Sequence, residues 1–297
     1  MQRSDFRFFH RLRVRWAEVD MQAIVFNANY LMYFDTGITD YWRALALPYE
    51  HSMSKLDGDL FVRKASIEFF GSARLDDVLD MGIRCARIGN SSLVFEGALF
   101  LRDRLLVSSE IVYVFADRAS QTSKPVPQLL RDAIGHFEAG DAVTELMLGT
   151  WPTLRDDASL LRTEVFIEEQ RIPHDMEWDE HDASAVHAVV RNLIGLPIAT
   201  GRLVAEVPGV ARIGRVAVQR HLRSGGHGET LMKALEGEAQ ARGDHTVVLH
   251  AQRTAQRFYE RLGYAPDGEP FEEAGIAHLP MRKRLLPPLD QTSASSS

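Results

Sequence analysis

The stretch Arg223-Ser224-Gly225-Gly226-His227-Gly228 follows an apolar run, Arg215-Val216-Ala217-Val218, and opens an amphipathic pattern through Leu231, Met232, Ala234 and Leu235. A strand, a glycine loop and a helix in that order leave few architectures open. Glycines let a backbone approach a polyanion closely, and the free N–H groups at a helix start favour negative charge. Arg223 adds a fixed cation at the head of the loop. The segment reads as a phosphate cradle.

At 297 residues the chain exceeds what one compact core usually holds, and a prior of about 150 residues per domain predicts two domains. Hydrophobic residues make up 45% of the chain and charged residues 25%, so each half can bury a core of its own. A formal net charge of -7 argues against nucleic acid as a partner, because neutralising phosphates takes clustered Lys and Arg. Cys85 is the single cysteine, which excludes an intrachain disulfide and a cysteine-rich metal site and fits a reducing compartment. Arg3, Arg7, Arg11 and Arg13 interrupt the aromatics of the first fifteen residues, so neither a signal peptide nor a membrane span is expected there. A cytoplasmic location is the expectation, with no membrane partner.

Alternation from Arg11 to Trp16 predicts a strand, and helical spacing of aromatics and aliphatics predicts a long helix from Asn29 to Leu45. Ser66–Phe70, Val78–Ile88, Ser92–Leu101 and Leu105–Phe115 read as successive strands, separated by Gly71-Ser72, Gly89-Asn90 and Arg102-Asp103-Arg104. That order implies an α+β half with an antiparallel sheet. Lys124-Pro125-Val126-Pro127 stops the last strand, and a short helix runs to about Phe137. In the second half a helix is expected over 160–170, then a polar loop over 174–182. Strands follow at 186–191, 197–205 and 212–218, a buried strand at 246–250, a helix at 255–261 and a last strand at 276–282. The Ser-rich end is expected to be disordered.

Two resemblances sharpen this outline. The segment Trp16-Ala17-Glu18-Val19-Asp20-Met21-Gln22-Ala23 through Tyr30, with Ser66–Phe70, Asp77, Ser91-Ser92 and the Lys-Pro-Val-Pro ending, resembles the hotdog-fold thioesterases of the 4-hydroxybenzoyl-CoA thioesterase type. The resemblance spans about Arg7 to Phe137. It implies an antiparallel sheet around a long helix and makes Asp20, the second acid of the loop, the catalytic carboxylate, with Glu18 in the less critical first position. A thioester carbonyl docked at the helix start would develop its oxyanion there, while Asp20 attacks or activates water. The chain departs from the family at Ala23, where glycine is frequent, and at Asn27. Asp35, on the long helix, is a lesser candidate, for which a hydrogen bond to a neighbouring strand is the plainer role.

The phosphate cradle, followed by Ala255-Gln256-Arg257-Phe258-Tyr259-Glu260-Arg261-Leu262-Gly263-Tyr264, resembles the GNAT acetyltransferases. Within them, Val165 to Gln170, Glu177, Asp179, Asp182 and His187 are most similar to the ElaA-like branch. The resemblance implies an α/β domain with a mixed sheet. Backbone groups of Val216, Ala217 and Val218 would pair with the pantetheine arm of acetyl-CoA. Arg223, Ser224, Gly225, Gly226, His227 and Gly228 would hold its pyrophosphate. Tyr259 would protonate the departing thiolate, since a phenol keeps its proton at neutral pH. The acids of 177–182 suggest a pocket that attracts a cationic amine. Their spacing matches no standard ligand set, so no metal is expected.

The expectation is a hotdog thioesterase domain (residues 1–138), a linker (139–149), a GNAT acetyltransferase domain (150–286) and a disordered tail (287–297). Its substrates would be acyl-CoA or acetyl-CoA and a small amine, and the hotdog half implies a homo-oligomer. Two alternatives stay open: an acetyltransferase with an inactive, dimerising hotdog domain, and a non-catalytic acyl-CoA sensor.

Overall fold

Residues 1–285 are described by a computed structural model. The chain divides into two compact units, Met1–Thr144 with Asn192–Leu196, and Glu145–Arg191 with Pro197 onward. Residue 286 and the tail expected at 287–297 lie outside the described residues.

The first unit is an antiparallel five-stranded sheet packed on one long helix. The strands are β1 (Phe8–Arg13), β2 (Asp59–Phe69), β3 (Val78–Ile88), β4 (Ser92–Leu101) and β5 (Arg104–Ala116), in spatial order β1-β3-β4-β5-β2. The helix α1 (Asn27–Ala44) buries Tyr30, Tyr33, Phe34, Gly37, Ile38, Tyr41 and Trp42, the stripe that a 3.6-residue period turns to one side. Burying a side chain such as Phe34 or Ile38 contributes about 1.5–3 kcal/mol. Tyr41 meets Phe95 edge-on with ring centroids 5.4 Å apart. Two glycines let helix and sheet approach: a Cβ on Gly37 would lie 2.4 Å from Met81 Cε, and one on Gly97 would lie 2.6 Å from Phe34. Short α2 (Tyr49–Lys55) and α3 (Gln128–Ala139) complete the unit, and α3 ends at Gly140 in the left-handed region. The first strand lies three residues earlier than its alternation suggested, and Trp16–Glu18 forms a 3-10 turn instead.

The second unit carries a mixed sheet in the order β11-β13-β10-β9-β8-β7-β6, with β12 paired to β13. Its strands are β6 (Thr144–Gly149), β7 (Val186–Asn192), β8 (Pro197–Val207), β9 (Val210–Val218), β10 (Thr246–Gln252), β11 (Ala265–Pro266), β12 (Phe271–Glu273) and β13 (Ile276–Arg284). Its helices are α4 (Trp151–Arg162), α5 (His174–Glu177), α6 (His227–Ala241) and α7 (Gln256–Arg261). Residues 144–149, expected as linker, are therefore a strand. The helix expected over 160–170 divides: α4 stops at Arg162, and Thr163–Glu169 is a π-helix. Such stretches are rare and gather at functional sites.

The site is made where two strands part. β9 and β10 pair in parallel only at Val210–Thr246, Ala211–Val247 and Arg212–Val248, although both continue beyond. A bulge on the other side of β9 adds to the divergence, for Gly201 of β8 faces the two residues Arg215 and Val216. Arg215 has φ 53°, which turns the strand locally.

Candidate active sites

In the first unit the loop between β1 and α1 is tied down from both ends. Val19 and Val25 form an antiparallel bridge, and Val25 N donates to Ala73 O at 2.9 Å. Phe26 N and Asn29 Nδ2 donate to the Glu18 carbonyl at 2.9 and 2.8 Å, which fastens the loop to the helix start. Asp20 stands on the turn so enclosed and is partly exposed. Its Oδ1 accepts from Gln22 N at 2.8 Å, and Ala23 closes the turn with φ 59°. A glycine occupies that region without steric penalty, so the departure at Ala23 falls at the one loop position where the backbone favours glycine.

Glu18, the first acid, is the buried one, 6% exposed. Tyr33 OH donates to it at 2.7 Å, Arg15 N at 2.7 Å and Arg15 Nε at 2.6 Å. Burial pushes its carboxyl up, but these hydrogen bonds and the Arg15 charge outweigh burial and hold it below the usual range. Burial and the Glu18 carboxylate push the Tyr33 hydroxyl well up. Asp35 is exposed and lies near the Tyr113 hydroxyl on β5, whose pKa burial and then the Asp35 carboxylate push up.

In the second unit a cavity of 740 Å³ opens where β9 and β10 part, lined among others by Val216, Leu249, Gln252 and Tyr259. Past Arg212, the edge of β9 toward β10 is free of sheet pairing, while its other edge bonds β8 through Ala199–Val218 and Thr200–Ala217. Tyr259 is 9% exposed, and burial lifts its hydroxyl to about 12, so it holds its proton at neutral pH.

The glycine loop follows β9 by one 3-10 turn, Arg220–Leu222. Ser224 and Gly226 both sit at positive φ, 70° and 86°. The backbone bond from Thr230 N to Gly226 O, 3.0 Å, closes the first turn of α6, and the N–H groups of His227, Gly228 and Glu229 precede it. A Cβ on Gly226 would meet nothing within 4 Å, whereas one on Gly228 would lie 3.2 Å from the Phe258 ring. Arg223 reaches back rather than outward. Its Nε donates to Val218 O at 3.0 Å, and its two terminal nitrogens bond Glu169 of the π-helix at 2.6 Å each.

The acidic loop does line the cavity, through Glu177 and Asp179, but arginines hold its charges. Arg162, 1% exposed, bonds Glu177 Oε1 at 2.6 Å and Asp182 Oδ1 at 2.7 Å. Arg202 bonds Asp182 at 2.6 Å and Asp179 at 2.5 Å, and Arg215 reaches Glu177 at 3.3 Å and Asp179 at 3.1 Å. Asp179 and Asp182 are held low, since the guanidinium bonds outweigh the opposing effect of burial; for the deeper Glu177, burial prevails and raises the carboxyl. His187, buried beside Trp151, bonds Asp182 O at 2.9 Å, and burial lowers its pKa, so it packs as a neutral strand residue. No group of three or more His, Cys, Asp or Glu arranged to hold a metal ion occurs among the described residues. Sequence patterning missed Arg162, because an arginine on an amphipathic helix reads as solvated, and it missed the cavity wall formed by Phe271 and His278.

Asp20 and Tyr259 belong to different units, whereas Val216 and Tyr259 share one cavity. Among the described residues no helix is long and apolar enough to cross a membrane.

Comparisons with known proteins separate along the same division. Residues 22–108 match the family described as Thioesterase superfamily, and residues 156–285 match the Acetyltransferase (GNAT) domain. A UPF0039 protein of Schizosaccharomyces pombe is 39% identical over 131 residues, which are 43% of this chain and 87% of that protein. The uncharacterised N-acetyltransferase YjcF of Bacillus subtilis is 38% identical over 128 residues, 43% of this chain and 90% of its own. Among solved structures, a 1,4-dihydroxy-2-naphthoyl-CoA thioesterase from Synechocystis aligns at 20% identity and TM-score 0.41, over 43% of this chain and 95% of that one. The chain belongs to the GNAT acetyltransferases through its second unit and carries a thioesterase-superfamily domain ahead of it.

Proposed function

We propose that the protein is a cytoplasmic, bifunctional acyl-CoA enzyme: the first unit hydrolyses a thioester with Asp20, and the second transfers acetyl from acetyl-CoA to a small amine. The observation that carries the second activity is the parting of β9 and β10, which leaves strand edge, cavity and the Tyr259 hydroxyl together. An extended pantetheine arm adds to the free edge at Val216, Ala217 and Val218 as a strand would. The loop from Arg223 to Gly228 takes the pyrophosphate on backbone N–H groups. As the amine attacks the acetyl carbon, the C–S bond breaks and Tyr259 gives its proton to the sulfur.

In the first unit a thioester carbonyl placed at the start of α1 meets backbone donors, with Asp20 as nucleophile or base. Trp16, Met21 and Phe26 around that loop are exposed, as are Val62 and Phe69 on the edge strand β2. Pairing two copies would cover such surface, which supports a homo-oligomer. One observation favours a second reading, an inactive hotdog unit that serves only for assembly: the Asp20 carboxylate already caps its own turn at Gln22.

Thiol release from a panel of acyl-CoAs, with and without a library of amines, tests both activities. Amine-independent release that Asp20→Asn abolishes assigns hydrolysis to the first unit. Amine-dependent release that Tyr259→Phe slows by about 10²–10⁴, at unchanged acetyl-CoA affinity, assigns transfer to the second. Release in neither assay defeats the proposal and leaves a CoA-binding protein.

A further inference from the structure

The chemistry above lacks one participant, the group that frees the amine of its proton, and we infer that it is His278. The assignment rests on the acetyltransferase reading. His278 lies on β13 directly opposite Gln252 of β10 and Phe271 of β12, and all three line the cavity. Side chains directly opposite in paired strands share a face of the sheet, so the strand hydrogen bonds themselves hold the imidazole against the open space.

Its tautomer is set by geometry. His278 Nδ1 lies 2.8 Å from the carbonyl oxygen of Ile276. A carbonyl only accepts, so in the neutral ring Nδ1 carries the hydrogen and Nε2 keeps its lone pair. Phe271 stacks on the ring at 5.5 Å and 21°, which fixes its plane. An imidazole oriented through Nδ1–H, with Nε2 bare, is the arrangement a proton acceptor needs.

Several other polar groups of the wall are engaged, while His181 and Glu273 line it without an ion pair among the described residues. Glu177, Asp179 and Glu206 are each paired with an arginine. His250, on β10, has Arg212 Nη1 3.0 Å from its Nε2, so a permanent cation faces that nitrogen. Charged and titratable groups around the His250–His278 wall include Arg212 on β9, Glu206 on β8, Glu273 on β12 and, across the cavity, His181. Glu273 has no guanidinium partner among the described residues, and its carboxylate draws an ammonium toward the wall.

The protons balance. The ammonium gives one proton to His278 Nε2, which passes it to solvent. The neutral nitrogen then forms the C–N bond as the C–S bond breaks and the sulfur takes the Tyr259 proton. The second nitrogen proton, lost from the N-protonated amide so formed, restores Tyr259 through water.

His278→Asn is the decisive substitution, because the Asn amide nitrogen can still donate to Ile276 O while the Nε2 lone pair is gone. The probes are the alkyl amine that the parent protein acetylates fastest and its β-fluorinated analogue, which has the same shape and lower basicity. With the alkyl amine, kcat should fall by about 10² or more, the KM for acetyl-CoA should hold, and the acid limb of the pH–rate profile should disappear. With the fluorinated amine, already unprotonated, most of the loss should vanish. Activity within threefold of the parent with the acid limb intact, or an equal loss with both amines, overturns the assignment. If the Asn variant does not fold, His278→Gln is read by the same criteria. A parent that acetylates no amine at all refutes the acetyltransferase reading instead, and acetyl-CoA calorimetry on the same sample tells the two failures apart.

Discussion

Arg223 and Glu169 form a two-pronged ion pair, with both terminal guanidinium nitrogens 2.6 Å from the two carboxylate oxygens. A carboxylate therefore stands on the cation at the head of the glycine loop. Arg223 is the first cause of the depressed pKa of Glu169, so the pair forms with full charge on both sides. On the binding mode proposed above, pyrophosphate reaching Arg223 would have to displace Glu169. With side chains 40% and 29% exposed, such a pair contributes at most about 1 kcal/mol. Glu169→Gln should then tighten acetyl-CoA binding by up to about fivefold, read by calorimetry. Weaker binding would mean that Glu169 poises Arg223 for the phosphate rather than competing with it.

Gly226→Val separates space from backbone. Nothing lies within 4 Å of a Cβ at that position, yet φ is 86°. A β-branched residue there costs about 1–3 kcal/mol or shifts the loop. Acetyl-CoA affinity should fall while thioester hydrolysis by the first unit is retained. Unchanged affinity would make the loop only a turn.

Asp20→Asn keeps shape and polarity and can still accept from Gln22 N. It cannot act as nucleophile or base, so hydrolysis should drop by about 10² or more, measured at steady state with the thermal transition unchanged. A rate within threefold of the parent would leave Asp20 as the residue that closes its turn.

Glu18 couples stability to pH with a definite sign. Its folded-state pKa is lowered, so the ionised form is favoured by folding. That contribution is present above the unfolded carboxylate range and is lost as pH falls through the folded value. Urea unfolding of the parent and Glu18→Gln should therefore diverge at neutral pH and converge in acid. Curves that keep a constant gap would show that packing, not charge, carries the difference.

Arg162→Leu leaves Glu177 and Asp182, 2% and 3% exposed, without the cation that faces both. Removing one member of such a buried network costs about 3–5 kcal/mol. The second unit should lose that much in denaturant midpoint analysis, and loss of less than about 1 kcal/mol would mean Arg202 and Arg215 suffice.

The parts of this fold that repeat a period were legible. β3 and β4 begin and end where alternation and the Gly89-Asn90 turn place them, and α1 follows its aromatic stripe. Strand β6 was not, for its burial alternates poorly at the sheet edge. Short α2 buries only Ser52 and Met53, too few to set a period. The π-helix has no signature at a spacing of 3.6, so Glu169 could not be placed on Arg223. The glycine loop and Tyr259 carry sequence-local patterns and were found as such. His278 is fixed by a carbonyl two residues back and a ring on another strand, relations that exist only once the hairpin has formed.

The parting of β9 and β10 gives this sheet an internal border as well as its outer ones. An outer border is open to any chain that can lie alongside, and proteins must guard it. The internal one is lined by β10, α7 and the hairpin of β12 and β13, so a chain that reaches it has to enter the cavity rather than lie along the outside of the sheet. An edge set inside a cavity is thereby kept from the sheet-to-sheet pairing that threatens an outer one, and on the acetyltransferase reading proposed above it is the pantetheine arm that would lie along it.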